Sequence, residues 1–153
     1  MEPPGAAGTP GPRVQLLLLL CWTLVTCPPG AMALQPPSIT ALRTPARTPR
    51  LGESVKVSCE AASGFPEFTL LYWLANGSFV EKLHPDGAVR EGTVLEEPRG
   101  SVVTLQRELL FDSFATRDLR TNFTCVVLSP FGVATREVRW PPPAPATRSR
   151  GLG

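Results

Sequence analysis

The chain has 153 residues and a formal net charge of +2. That length allows one ordinary domain with a moderate core, and the charge excludes a strongly basic nucleic-acid surface or a charged-membrane binder. Its 18 prolines and 13 glycines crowd toward the two ends, which leaves a middle rich in β-branched and aromatic residues.

At the N-terminus "RVQLLLLLCWTLVTC" sets Arg13 before an apolar run, and "PPG" then "AMA" follow. A bilayer-spanning helix needs about 20 apolar residues; this run is shorter and breaks at Pro28. Residues 1–33 are therefore expected to be a signal peptide cleaved after Ala33, giving a secreted, extracellular chain with no membrane contact thereafter. Cys21 and Cys27 leave with it, so Cys59 and Cys125 form one disulfide in an oxidising compartment. Residues 34–50 read as a flexible leader rich in proline and arginine, with a first strand near Ser38–Arg43.

Residues 51–140 then alternate short strand-like runs with turn residues. "ESVKVSCEA" places Val55, Val57 and Cys59 on one face. "FTLLYWLA" is the next strand, and Asn76–Gly77 is the favoured two-residue hairpin turn because both positions need positive φ. "SFVEKL" returns from it. "SVVTLQRELLF" and "TNFTCVVL" are further strands, and "SPFG" turns the chain into "VATREVRW". Residues 141–153, rich in proline, read as a disordered tail. Two cysteines with Trp73 between them are the pattern of an all-β, immunoglobulin-like β-sandwich whose inter-sheet disulfide, Cys59–Cys125, packs on the strand-C tryptophan. Phe123 stands where that fold usually has its corner tyrosine; the corner hydrogen bond is lost but an inward aromatic is kept.

The strand at 68–75 is apolar on both faces. With Trp73 in the core, Leu71 and Thr69 also point inward, and Phe68, Leu70, Tyr72 and Leu74 point outward. The Asn76–Gly77 turn would pair Ala75 with Ser78, Leu74 with Phe79, Trp73 with Val80 and Tyr72 with Glu81. Val80 then joins the core, while Phe79, Glu81 and Leu83 join the outer face. A contiguous apolar face of this size, with aromatic anchors, is the signature of a protein-binding surface. The sequons "NGS" and "NFT" make Asn76 and Asn122 candidate N-glycosylation sites. Catalysis is not expected: there is no nucleophile motif, phosphate-binding glycine loop or metal-spaced set, so neither cofactor nor metal is implied. His84, Glu96, Glu97 and Asp112 read as solvated loop residues.

"GFPEFTLLYWLANGSFVEKL" with "TNFTCVVLSP" downstream resembles the interleukin-18-binding protein family, over roughly residues 51–140. The resemblance implies a secreted single-domain decoy that binds interleukin-18 as a monomer in a 1:1 complex, blocks its receptor engagement and dampens interferon-γ-type signalling. It further implies that Phe68, Tyr72 and Phe79 are the aromatics inserted into the cytokine, with Glu81 and Lys82 supplying polar contacts. Leu70 and Leu74 share that face by strand parity. Members with extra cysteines would place two of them near Ala62 and Gln106, so a second bridge is absent here. The stretch from His84 to Ser101 matches poorly. The alternative function is an adhesion or receptor module that associates with itself or another protein through the same sheet.

Overall fold

The computed structural model describes residues 34–143 and a few isolated positions outside that span. The expected signal peptide, apart from isolated positions, and most of the expected tail lie outside the described residues. Among these residues no helix is long and apolar enough to cross a membrane, and no cluster of histidine, cysteine, aspartate or glutamate could hold a metal ion.

Among the described residues nine strands form two antiparallel sheets. The first sheet holds β1 (Ser38–Arg43), β2 (Val55–Ser63), β7 (Val102–Phe111), β5 (Val89–Glu91) and β6 (Leu95–Arg99). Strand β7 pairs with β2 along one edge and with β5 and then β6 along the other. The second sheet runs β4 (Ser78–Phe79), β3 (Leu70–Ala75), β8 (Phe123–Ser129) and β9 (Gly132–Glu137). Two helical pieces interrupt them, α1 (Val80–Leu83) and α2 (Thr116–Arg120).

The core forms because alternate residues of each strand face the gap between the sheets. Val55, Val57, Cys59 and Ala61 of β2 meet Leu71, Trp73 and Ala75 of β3, with Leu105, Leu109 and Phe111 of β7 and Phe123, Cys125 and Val127 of β8. Cys59 and Cys125 are bonded across the sheets at a sequence separation of 66. Both are fully buried with Trp73, so the fold is the expected immunoglobulin-like sandwich. Phe123 is buried where the corner tyrosine would stand and meets Phe111 edge-on at 5.1 Å between ring centroids. Below it, Trp140 closes the end of the barrel-like core against Phe114 at 4.9 Å and Phe111 at 5.7 Å.

Four expectations need correction. The returning strand "SFVEKL" lasts only two residues: Leu74 pairs with Phe79 and Ala75 with Ser78, after which Val80–Leu83 turn helical. Val80 is still fully buried, because a helical turn can aim one residue inward as well as a strand can. Phe68 belongs to a 3₁₀ turn, Pro66–Phe68, ahead of β3, so its outward direction is set by that turn and not by strand parity. The leader's expected first strand is present as β1, paired with β2, but the rest is not a flexible linker: Pro37 and Pro49 are buried, and Arg47 forms a two-pronged pair with Glu53 at 3.1 and 3.2 Å. Of the residues expected to be solvated in loops, His84 is buried, and Glu96 and Glu97, though exposed, lie in β6.

Candidate functional site

The outer face of β3 and β4 is built by one turn and one hairpin. Asn76 and Gly77 take φ values of 49° and 77°, the two left-handed positions of a type I′ turn, and glycine bears the second without a Cβ penalty. That turn places Phe79 opposite Leu74, diagonal to Tyr72, and the Tyr72 and Phe79 rings lie 5.8 Å apart. At the other end of β3, Phe68 and Thr69 donate backbone N–H groups to the carbonyls of Phe65 and Pro66 at 3.1 and 3.0 Å. The Thr69 hydroxyl donates to the Phe65 carbonyl at 2.6 Å and lies 2.7 Å from the Ser63 hydroxyl. The Phe65 ring leans on Phe131 at 4.6 Å. This tie between two loops fixes the turn that carries Phe68.

The result is an apolar surface left open to water. Phe68 is 66% exposed, Leu70 61% and Phe79 53%; Tyr72 and Leu74 are half-buried between them. Leu70, Tyr72 and Phe79 line one hollow; Phe68 is exposed on the turn ahead of β3 and Leu83 on α1, and Leu74 and Phe79 are paired across the hairpin. Glu81, Val94 and Leu128 also line that hollow, of about 470 Å³. Lys82 is exposed on α1 but is not among the residues lining the hollow.

The patch is wider than the hairpin. Leu70 pairs with Leu128, and Leu128 with Val133, so three exposed aliphatics run in a row across β3, β8 and β9. The outward parity of "TNFTCVVL" carries this signal in Leu128, while Val126 at the same parity is buried; the expectation drawn from one hairpin did not include it. Also missed were Glu91 and Arg107. Arg107 occupies a core-facing position of β7 between Leu105 and Leu109, and a charge at that parity is the sequence clue. It pairs with Glu91 at 3.1 Å in a largely buried contact. Burial raises the Glu91 carboxyl above its ordinary range, while the Trp73 N–H and the Arg107 guanidinium pull the other way.

Asn76 and Asn122 are exposed and adjacent. Asn76 donates its N–H to the Asn122 carbonyl at 2.8 Å. Its side-chain oxygen accepts the Asn122 N–H at 2.8 Å, and the Asn122 amide donates to Glu137 at 2.9 Å. His84 lies beside this end, stacked on Phe123 at 6.1 Å. Neither of its ring nitrogens has a hydrogen-bond partner among the described residues. Arg90 and Asp112, at the far side of the first sheet, form an exposed ion pair at 2.5 Å.

A solved structure of Dpr2 Ig1-Ig2 in complex with DIP-Theta Ig1-Ig3 matches with a TM-score of 0.51 and 16% identity, over 71% of this chain and 32% of that one; this likeness concerns the fold alone. Interleukin-1 receptor type 2 of Chlorocebus aethiops is 33% identical over 97 residues, covering 61% of this chain and 25% of the receptor. The human interleukin-1 receptor type 2 is 33% identical over 79 residues, covering 50% and 20%. The chain thus spans a quarter or less of the length of these relatives. The model of one family, YLDV-IL18BP-like (Yaba-Like Disease Virus IL18BP), matches residues 44–138. That span takes in every strand from β2 to β9, both disulfide cysteines and the aromatics Phe68, Tyr72 and Phe79, and the chain belongs to this family.

Proposed function

We propose that this chain is a secreted decoy that captures interleukin-18 through the outer face of β3 and β4 and so keeps the cytokine from its receptor. The observation that carries the reading is the exposure of Phe68 and Phe79 on either side of Tyr72, on a sheet held rigid by its disulfide and hairpin. Exposed aromatics on a preordered backbone lose little conformational freedom on binding, so their burial is realised as affinity and slow release. Phe68, Tyr72 and Phe79 act as anchors, Leu70 and Leu74 fill the surface between them, and Glu81 and Lys82 give rim contacts. The complex is 1:1, and glycans on Asn76 and Asn122 project from the turn end of the sheet, leaving the Phe68 end free.

Surface plasmon resonance of the secreted chain against interleukin-18, with interleukin-1β as control, tests the reading. Tight, slowly dissociating binding to interleukin-18 alone is expected; equal binding to both, or to neither, contradicts it. A second reading, self-association through the same sheet, draws on the exposed row Leu70, Leu128 and Val133. Sedimentation that shows a monomer at all concentrations removes it.

A further inference from the structure

We propose that Glu91 and Arg107 are positioning residues for Tyr72, standing in for the strand that β4 does not continue. In a two-residue hairpin Ala75 exchanges hydrogen bonds with Ser78, so Trp73 and Leu71, two and four residues back, aim their N–H and C=O groups at the same open edge. A continuing strand would have met them there with Val80 and Lys82. Instead α1 turns away, and two side chains from the other sheet take its place. The Trp73 N–H donates to the Glu91 carboxylate. Arg107 donates to the Leu71 carbonyl at 3.0 Å and to the Gly92 carbonyl at 2.8 Å. The Trp73 indole N–H in turn donates to the Arg107 carbonyl at 3.3 Å.

Tyr72 is the residue between these two clamped peptide groups. Both Glu91 and Arg107 sit at inward positions of the first sheet, where an unpaired charge would be costly; paired with each other and with the strand edge they are satisfied. The edge they cap is short, and inward-pointing charges of this kind also keep such an edge from pairing with another chain. Because a side-chain pair is narrower than a strand, the hollow beside Tyr72 and Phe79 stays open, with Glu91 and Arg107 in its wall. The pair thus fixes the backbone under the central anchor without covering it.

This inference rests on the proposed cytokine-binding face, but its test has an arm that does not. Tyr72 is the single tyrosine of the sequence, so ring-labelled tyrosine gives one NMR signal in the free protein. Glu91→Gln, which preserves shape and the hydrogen-bond acceptor, and Arg107→Lys are the variants. In the free state both are expected to increase Tyr72 ring mobility and to speed exchange of the Trp73 and Tyr72 amides, with near-UV circular dichroism and the disulfide unchanged. In binding, Glu91→Gln is expected to speed dissociation by about fivefold or more, to lose that effect in a Tyr72→Ala background and to keep it in Phe68→Ala. Unchanged Tyr72 mobility and amide exchange in both variants overturns the positioning role even if wild-type binding is strong. An equal loss in the Tyr72→Ala and Phe68→Ala backgrounds also overturns it. Failure of the wild type to bind interleukin-18 removes the proposed function, while the free-state arm still decides the clamp.

Discussion

His84 follows the segment that carries Phe79 and is buried against Phe123, with its N–H donated to the Val80 carbonyl at 2.8 Å. Burial lowers its pKa below the ordinary 6.5, helped by Arg117 and opposed by Asp118 and Asp86. Asp118 and Arg117 come from α2 and Asp86 from the turn after α1; Glu81, Arg90, Glu91 and Arg107 line, together with His84, a second hollow of about 400 Å³. Because the folded state binds the proton less readily than the unfolded chain, this group's contribution is present above pH 6.5 and is lost as pH falls toward the lowered value. Glu91 works in the opposite sense: its raised pKa favours the folded state as pH falls from the raised value toward 4.5. The difference between wild type and His84→Phe isolates the histidine. Urea denaturation between pH 7 and 5 is expected to show wild-type stability falling relative to His84→Phe; parallel profiles would deny the burial its effect. A lone histidine before "PD" gives no periodic signal, and its contact with Phe123 is long-range, so the sequence alone suggested a solvated residue.

At the scale of elements, the hairpin was legible as far as its turn chemistry reaches. Asn76–Gly77 dictated Leu74 opposite Phe79, as found, and the alternation of Leu71, Trp73 and Ala75 dictated which face of β3 is core. Beyond Phe79 the pattern became ambiguous, since strand and helical turn both bury Val80. Strands β5 and β6 escaped notice because "VRE" is short and "LEEPR" is exposed throughout. Three charges, Glu96, Glu97 and Arg99, and Pro98 suit the latter for an edge that must not recruit another chain. The loop tie Phe65–Phe131 was equally invisible, being a contact between two turns. Phe131→Ala is expected to loosen the 3₁₀ turn by about 1 kcal/mol and to weaken interleukin-18 binding through Phe68. Titration calorimetry of Phe131→Ala, Phe68→Ala and the double variant checks this. Fully additive losses would mean that the tie does not act through Phe68.

For the molecule as a whole, Cys59, Trp73 and Cys125 pointed to the sandwich because that fold packs a strand-C tryptophan on an inter-sheet disulfide, and all three are fully buried here. The first strand of the leader was legible at Ser38–Arg43, but the proline-rich stretch after it resembles a linker, and its contacts with Glu53 are invisible in composition. One bridge closing 66 residues restricts the unfolded chain, and replacing Cys59 and Cys125 together with alanine is expected to cost about 4 kcal/mol. Chemical denaturation would measure it, and a loss below about 1 kcal/mol would show that the hydrophobic core alone suffices. The binding face depends on that rigidity: the outer side of the second sheet can stay apolar only while its inner side is held in register.

The most direct measurement is the dissociation rate of interleukin-18 from Phe68→Ala, Tyr72→Ala and Phe79→Ala, beside Leu95→Ala, an exposed leucine on the opposite sheet. Each aromatic variant is expected to lose on the order of 2 kcal/mol or more, chiefly through faster dissociation and with unchanged folding, while Leu95→Ala binds as the wild type does. Wild-type kinetics in all three aromatic variants would contradict the proposed face.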